Sequence, residues 1–132
     1  MKNITFIGAG NMARALIVGL ISMGYLPEKI TASNPSSEKL QAFQQSFGIN
    51  VTSDNSEAAR HADIVVLSVK PNVLKTVCEE LTAVLLEKKP LIVSVAAGVT
   101  TDCLSRWLDP ALHVVRAMPN TPAAVSAGAT GL

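Results

Sequence analysis

Short apolar runs alternate with longer amphipathic stretches along the 132-residue chain. The runs are rich in Val, Ile and Leu, and several lack polar alternation, which is typical of parallel strands buried on both faces. The pattern predicts strands at 3–7, 29–33, 50–52, 63–69, 90–95 and 112–117. It predicts helices at 11–23, 36–47, 55–60, 72–86 and 100–108. This order favours an α/β fold, a doubly wound and mostly parallel sheet with helices on both faces.

Apolar residues at helical spacing predict the buried face of three of these helices. The first stripe is Met12, Leu16, Gly19, Leu20 and Met23. The second and fourth helices carry Leu40, Phe43 and Phe47, and Leu74, Val77, Cys78, Leu81 and Leu85.

A glycine-rich turn links the first strand to the first helix. Residues 8–13 read GAGNMA, with Gly8 for the tight turn, Gly10 for close approach of a pyrophosphate, and Ala13 for helix–strand packing. The free N–H groups at the start of the following helix favour an anion. The motif therefore predicts a Rossmann-type dinucleotide site, and the alternative is a turn that only packs one βα unit.

Composition narrows the possible partners and compartments. The net charge is +1, and the eleven Lys and Arg residues are scattered, so we expect no nucleic-acid partner. No apolar run is long enough for a membrane span, and the two cysteines and two histidines form no metal-ligand spacing. We expect one dinucleotide-binding domain over 1–132, a cytoplasmic location, no membrane contact and no metal.

The end of the second strand bears on which cofactor binds. NAD-specific sites place Asp or Glu there, but residues 31–37 (TASNPSS) carry no carboxylate to repel a 2′-phosphate. Asn34, Ser36 and Ser37 can donate hydrogen bonds, and Lys39 follows within a turn. This favours NADP, with NAD as the alternative cofactor. A capping interpretation, with Asn34 before a proline at the first helical position, is compatible with it.

Three later strand exits are unusual. Lys70 precedes Pro71, so the backbone there either lies along a cofactor or simply starts a helix. Residues 93–99 (VSVAAGV) carry small side chains. These would let a flat ring approach the backbone, or would only let the strand and the next helix pack tightly. Pro119 and Pro122 bracket a rigid polar turn.

Together, residues 8–13 (GAGNMA), 69–71 (VKP), 96–99 (AAGV) and 116–122 (RAMPNTP) resemble the pyrroline-5-carboxylate reductase family. The resemblance implies NADPH-dependent reduction of 1-pyrroline-5-carboxylate to L-proline. It also implies that Asn120 lies on the nicotinamide side. The other implied cofactor contacts are Ile7, Gly8, Ala9, Gly10, Asn11, Met12, Asn34, Asn55, Ser68, Val69, Lys70, Pro71, Val95, Ala96 and Ala97.

Members of that family continue into a helical domain that holds the substrate carboxylate and forms the dimer. We therefore expect a truncated chain without the C-terminal helical domain, and a homo-oligomer only at full length. No catalytic acid or base is expected in this chain, because a protonated cyclic imine accepts hydride without one. The alternatives are another Rossmann-type NADP reductase, or a non-catalytic nucleotide-sensing module.

Overall fold

The computed structural model describes residues 2–95 and 101–116. Strands and helices alternate throughout this part of the chain. The strands are β1 (Ile4–Ile7), β2 (Ile30–Ser33), β3 (Asn50–Thr52), β4 (Ile64–Leu67), β5 (Leu91–Ser94) and β6 (Val114–Arg116). The helices are α1 (Asn11–Ser22), α2 (Ser37–Phe47), α3 (Asn55–Arg60), α4 (Pro71–Lys88) and α5 (Thr101–Trp107).

These six strands form one parallel sheet in the order β3-β2-β1-β4-β5-β6. Chain order reverses between β1 and β4, where open α/β sheets bind ligands beyond the carboxyl ends of the strands. Two core clusters lie on opposite faces, one with residues of α1 and α2 and the other with residues of α3, α4 and α5. The predicted doubly wound fold is confirmed.

The carboxyl ends of the central strands are level with one another. Ile7, the last residue of β1, pairs with Ser33 at the end of β2 and with Leu67 at the end of β4. Ser33 in turn pairs with Thr52, the last residue of β3. The segments after these strands therefore leave the sheet side by side.

The predicted stripe on α1 is wrong at its two ends, Met12 and Met23, and correct at Leu16 and Leu20. Ala13 and Ile17 are fully buried, whereas Met12 is 36% and Met23 54% exposed. Leu16 and Leu20 are partly buried beside them. The most buried positions each lie one residue later in the sequence than Met12 and Leu16, because Ala13 must contact the sheet directly after the glycine turn.

The stripes on α2 and α4 are confirmed. Leu40 and Phe43 are buried and Phe47 packs against them, and every predicted position on α4 is buried. Cys78 is fully enclosed there, and desolvation, with a smaller contribution from Glu79, raises its thiol pKa to about 11. This thiol stays protonated at neutral pH and acts as a small apolar side chain.

Helix starts differ slightly from the prediction. Ser36 is the N-cap of α2, and its hydroxyl accepts the Lys39 N–H at 3.4 Å, so Asn34 does not cap this helix and the capping interpretation is wrong in that detail. Pro71, one residue earlier than predicted, begins α4. A 3-10 helix at Pro27–Lys29 was not predicted.

Among the described residues, none of the helices combines the length and the apolar composition that a membrane span needs.

Asp63 connects two elements at the amino-terminal edge of the sheet. One carboxylate oxygen accepts the Asn3 backbone N–H at 2.8 Å, and the other lies 3.2 Å from the Lys88 ammonium. The bond from Asn3, followed by the bond from Lys88, lowers the pKa of Asp63 below its ordinary value of 3.8. This carboxylate thus joins the start of β1 to the end of α4.

The depressed pKa predicts a pH-dependent contribution to stability. A carboxyl with a lowered native pKa stabilises the fold above its unfolded pKa, and that contribution is lost as pH falls through the native pKa. We expect Asp63→Asn to lower the free energy of unfolding at neutral pH and to converge on the parent protein in acid. Urea unfolding across this pH range measures the difference. The control is Glu80→Gln, which neutralises an exposed carboxyl on α4. An equal effect of both substitutions would contradict the prediction.

Candidate functional site

Gly8 forms the tight part of the turn after β1. Its φ is +107°, a conformation that residues with a side chain rarely adopt. A Cβ placed here would lie 3.0 Å from Val69 Cγ1 and 3.1 Å from the Ser68 carbonyl carbon and oxygen. The fold itself therefore requires glycine at this position.

Gly10 differs, because a Cβ placed there would meet no atom within 4 Å. It is the N-cap of α1, and the Arg14 N–H donates to its carbonyl at 3.0 Å. The N–H groups of Asn11, Met12 and Ala13 precede that bond and have no helical acceptor. No described side chain caps this end, so an open space faces the positive end of the helix dipole.

The turn is held from the β2 side. The Gly8 N–H donates to the Ser33 carbonyl at 2.8 Å, and the Ala9 N–H donates to the Asn34 side-chain oxygen at 3.3 Å. The Asn34 N–H donates to the Thr52 carbonyl at 3.3 Å, which fixes Asn34 against β3. Its amide nitrogen, with two hydrogens, remains a donor for a ligand.

The turn is also held from the β4 side by Ser68. Its hydroxyl oxygen lies 3.1 Å from the Ile7 carbonyl and 3.0 Å from the Gly8 carbonyl, and its N–H donates to Ile7 at 3.0 Å. Val69 packs beneath the same turn. Lys70 is exposed and extended, with φ −64° and ψ 148°, as expected before proline.

Asn55 and Ser36 complete the described part of the edge. The buried Ser33 hydroxyl donates to the Asn55 side-chain oxygen at 2.5 Å, which leaves the Asn55 amide nitrogen as a donor. The Ser36 hydroxyl accepts a capping bond, so its hydrogen is available to an anion. Val95 is buried, and its N–H donates to Leu67 at 3.2 Å.

The structure thus brings together most of the predicted site. Residues from the segments after β1, β2, β3 and β4 converge at one edge. Ala96, Ala97 and Asn120 lie outside the described residues. Sequence reasoning missed Ser33 and Thr52, whose position as last residues of their strands was the available signal.

A cavity of about 320 Å³ lies elsewhere, under α3 and away from the glycine turn. Its lining includes Asn3, Glu28 and His61, from the start of β1, the 3-10 helix and the end of α3. Its lining also includes Thr31, Asn50 and Thr52, so the cavity extends along β2 and β3 as far as the last residue of β3.

The topology, the glycine turn and the uncapped α1 N-terminus together define a Rossmann-type dinucleotide-binding domain. The chain belongs to the family described as NADP oxidoreductase, coenzyme F420-dependent, whose model matches residues 3–98.

Curated relatives align over almost the whole chain. It is 47% identical over 131 residues to a pyrroline-5-carboxylate reductase of Vibrio alginolyticus, covering 99% of this chain and 48% of the relative. It is 46% identical over 132 residues to the Escherichia coli enzyme of that name, covering 99% and 49%. The chain thus spans about half the length of the curated relatives it matches.

Solved structures also superpose on almost the whole of this chain and on less than half of their own length. A Coxiella burnetii pyrroline-5-carboxylate reductase superposes with a TM-score of 0.88 at 52% identity, covering 94% of this chain and 46% of that one. A Plasmodium falciparum pyrroline carboxylate reductase with NADP bound superposes with a TM-score of 0.80 at 29% identity, covering 94% and 44%.

The contrast between the two glycines predicts separable effects. Gly10→Val places its side chain in open space, so we expect the domain to stay folded and dinucleotide binding to be lost. Gly8→Ala meets packed atoms at positive φ, so we expect a loss of about 1–3 kcal/mol in unfolding free energy. Circular dichroism melts and cofactor fluorescence titrations measure the two effects. Normal binding by Gly10→Val would mean that the turn serves packing alone.

Proposed function

We propose that this chain binds NADP(H) and is the cofactor-binding half of an enzyme that reduces 1-pyrroline-5-carboxylate to L-proline. The match of 99% of the chain to reductases of that name supports the substrate. The relative with NADP bound supports the cofactor, because it shares the fold over 94% of this chain. Independent support comes from the convergent edge itself.

The residues present fit a dinucleotide phosphate group. The open space at Gly10 would take the pyrophosphate, against the free N–H groups that begin α1. The amide nitrogen of Asn34 and the hydroxyl of Ser36 would hold the 2′-phosphate as hydrogen-bond donors. The first carboxylate after β2, Glu38, is exposed within α2 and is followed by Lys39.

The remaining predicted contacts stay part of this proposal. Asn55 would contact the cofactor from the β3 side. The backbone of Ser68, Val69, Lys70 and Pro71, and that of Val95 with Ala96 and Ala97, would line the path toward the nicotinamide. Asn120, outside the described residues, would be on the nicotinamide side.

The proposed reaction requires little acid–base chemistry from this chain. Reduced nicotinamide supplies the hydride, and a cyclic imine takes its proton readily from water. The chain's own residues hold the cofactor at a fixed position above the sheet edge, so that orientation rather than proton transfer lowers the barrier.

We also propose a cytoplasmic location and, for the full-length enzyme, a homo-oligomer. Cys78 is a buried free thiol, which is usual in reducing compartments.

Asn34→Asp tests the cofactor preference. An aspartate oxygen can still accept the Ala9 N–H, so the turn should keep its shape, but its charge repels a 2′-phosphate. We expect NADPH binding to weaken by about 1–3 kcal/mol and NADH binding to be kept. Isothermal titration with both cofactors measures the change.

Asn50→Asp is the matched control, because it adds the same charge at the amino end of β3, far from the turn. It should leave the ratio of the two affinities unaltered. Equal weakening of NADPH binding in both variants, or none in Asn34→Asp, would contradict the assignment of Asn34.

A chimera tests the reaction. Joining these 132 residues to the remaining half of the Escherichia coli relative should give an enzyme that oxidises NADPH when 1-pyrroline-5-carboxylate is added. Nicotinamide absorbance follows the rate. Gly10→Val in the same chimera should abolish turnover, and a folded chimera that binds NADPH without consuming it would refute the proposed substrate.

A further inference from the structure

The Ser68 hydroxyl lies against the peptide between Gly8 and Ala9. It is 3.0 Å from the Gly8 carbonyl oxygen and 3.1 Å from that of Ile7. A hydroxyl has one hydrogen, and the Ile7 carbonyl already accepts the Ser68 backbone N–H at 3.0 Å. Both carbonyls can accept the hydroxyl hydrogen, and the Gly8 carbonyl is favoured because its oxygen is the nearer and the Ile7 oxygen is already bonded.

The other end of the same peptide is held by a different strand exit. Ala9 donates its N–H to the Asn34 side-chain oxygen at 3.3 Å. Because a peptide group is planar, a bond at its carbonyl and a bond at its N–H together fix its orientation. Ser68, which follows β4, and Asn34, which follows β2, thus bond to opposite ends of one peptide.

This peptide depends on side-chain hydrogen bonds for its orientation because it follows glycine. Gly8 has φ +107° and little intrinsic conformational preference, so the backbone alone leaves the next peptide free to rotate. Rotation would change the direction in which Gly10 and the first N–H groups of α1 are presented. Packing of Ser68 and Val69 against Gly8 restrains the turn's position, and the hydroxyl adds the orientation.

We infer that Ser68 is a positioning residue whose hydroxyl holds the peptide between Gly8 and Ala9 in the orientation that receives the cofactor pyrophosphate. The inference rests on the proposed NADP(H) binding. It assigns the side chain of Ser68 a function through the turn, beyond a backbone contact. NADPH and NADH share the pyrophosphate, so both must depend on it equally.

Ser68→Ala is the primary test. We expect the dissociation constants of NADPH and NADH to rise by the same factor, about threefold to tenfold, as for one lost hydrogen bond. Without cofactor, amide hydrogen exchange at Ala9 should become faster than in the parent protein. Ser68→Thr retains the hydroxyl and should restore both properties.

Thr5→Val is the matched control. It removes another hydroxyl–carbonyl bond of β1, from Thr5 to Ala58 at 2.8 Å, at a buried place away from the turn. It should lower the melting temperature while leaving both dissociation constants and Ala9 exchange unchanged. This separates positioning from general stability.

Three results would overturn the inference: unchanged affinities in Ser68→Ala, an effect on NADPH alone, or the same loss of affinity in Thr5→Val. If the parent protein bound neither cofactor, the proposed function would fail, and with it the part played by Ser68 in binding. Ala9 exchange in the same variants would then still decide whether the hydroxyl holds the peptide.

Discussion

The in-register pairing of β1 between β2 and β4 is the constraint on which the whole site depends. Ile7 ends level with Ser33 and Leu67, so three chain segments leave the sheet at the same height. The turn after β1 can then be bonded from both neighbours without any long side chain. A displacement of one residue would reverse the facing of every side chain on the slipped strand and separate these groups.

The two glycines of the turn meet different requirements. Gly8 is determined by the protein, since its positive φ and the atoms of Ser68 and Val69 leave no room for a side chain. Gly10 faces open space, and nothing in the described structure demands glycine there. Glycine is acceptable at a helix N-cap, and room for a bound anion at this helix N-terminus is the further reason that we propose for it.

Sequence patterns predicted the strands and the glycine turn well, because buried parallel strands and phosphate-binding turns both have strong local signatures. They failed in part on α1, whose residues are apolar on several sides, so periodicity alone could not select between Met12 and Ala13. Tertiary contact decides in favour of the small residue. The bonds from Ser68 to Gly8 and from Ser33 to Asn55 join residues far apart in sequence, and no local pattern encodes such pairs.

Asn34 shows how one side chain can meet two demands at this edge. Its oxygen satisfies the Ala9 N–H, as a carboxylate at this position could also do. The difference lies in the other terminal atom of the side chain: an amide has a nitrogen with two N–H donors there, whereas a carboxylate has a second oxygen and a negative charge. An uncharged side chain therefore keeps the turn closed while it leaves the neighbouring space open to a phosphate. The same internal bond that orders the turn also orients the amide, so the NADP preference that we propose would depend on the residue that holds the turn.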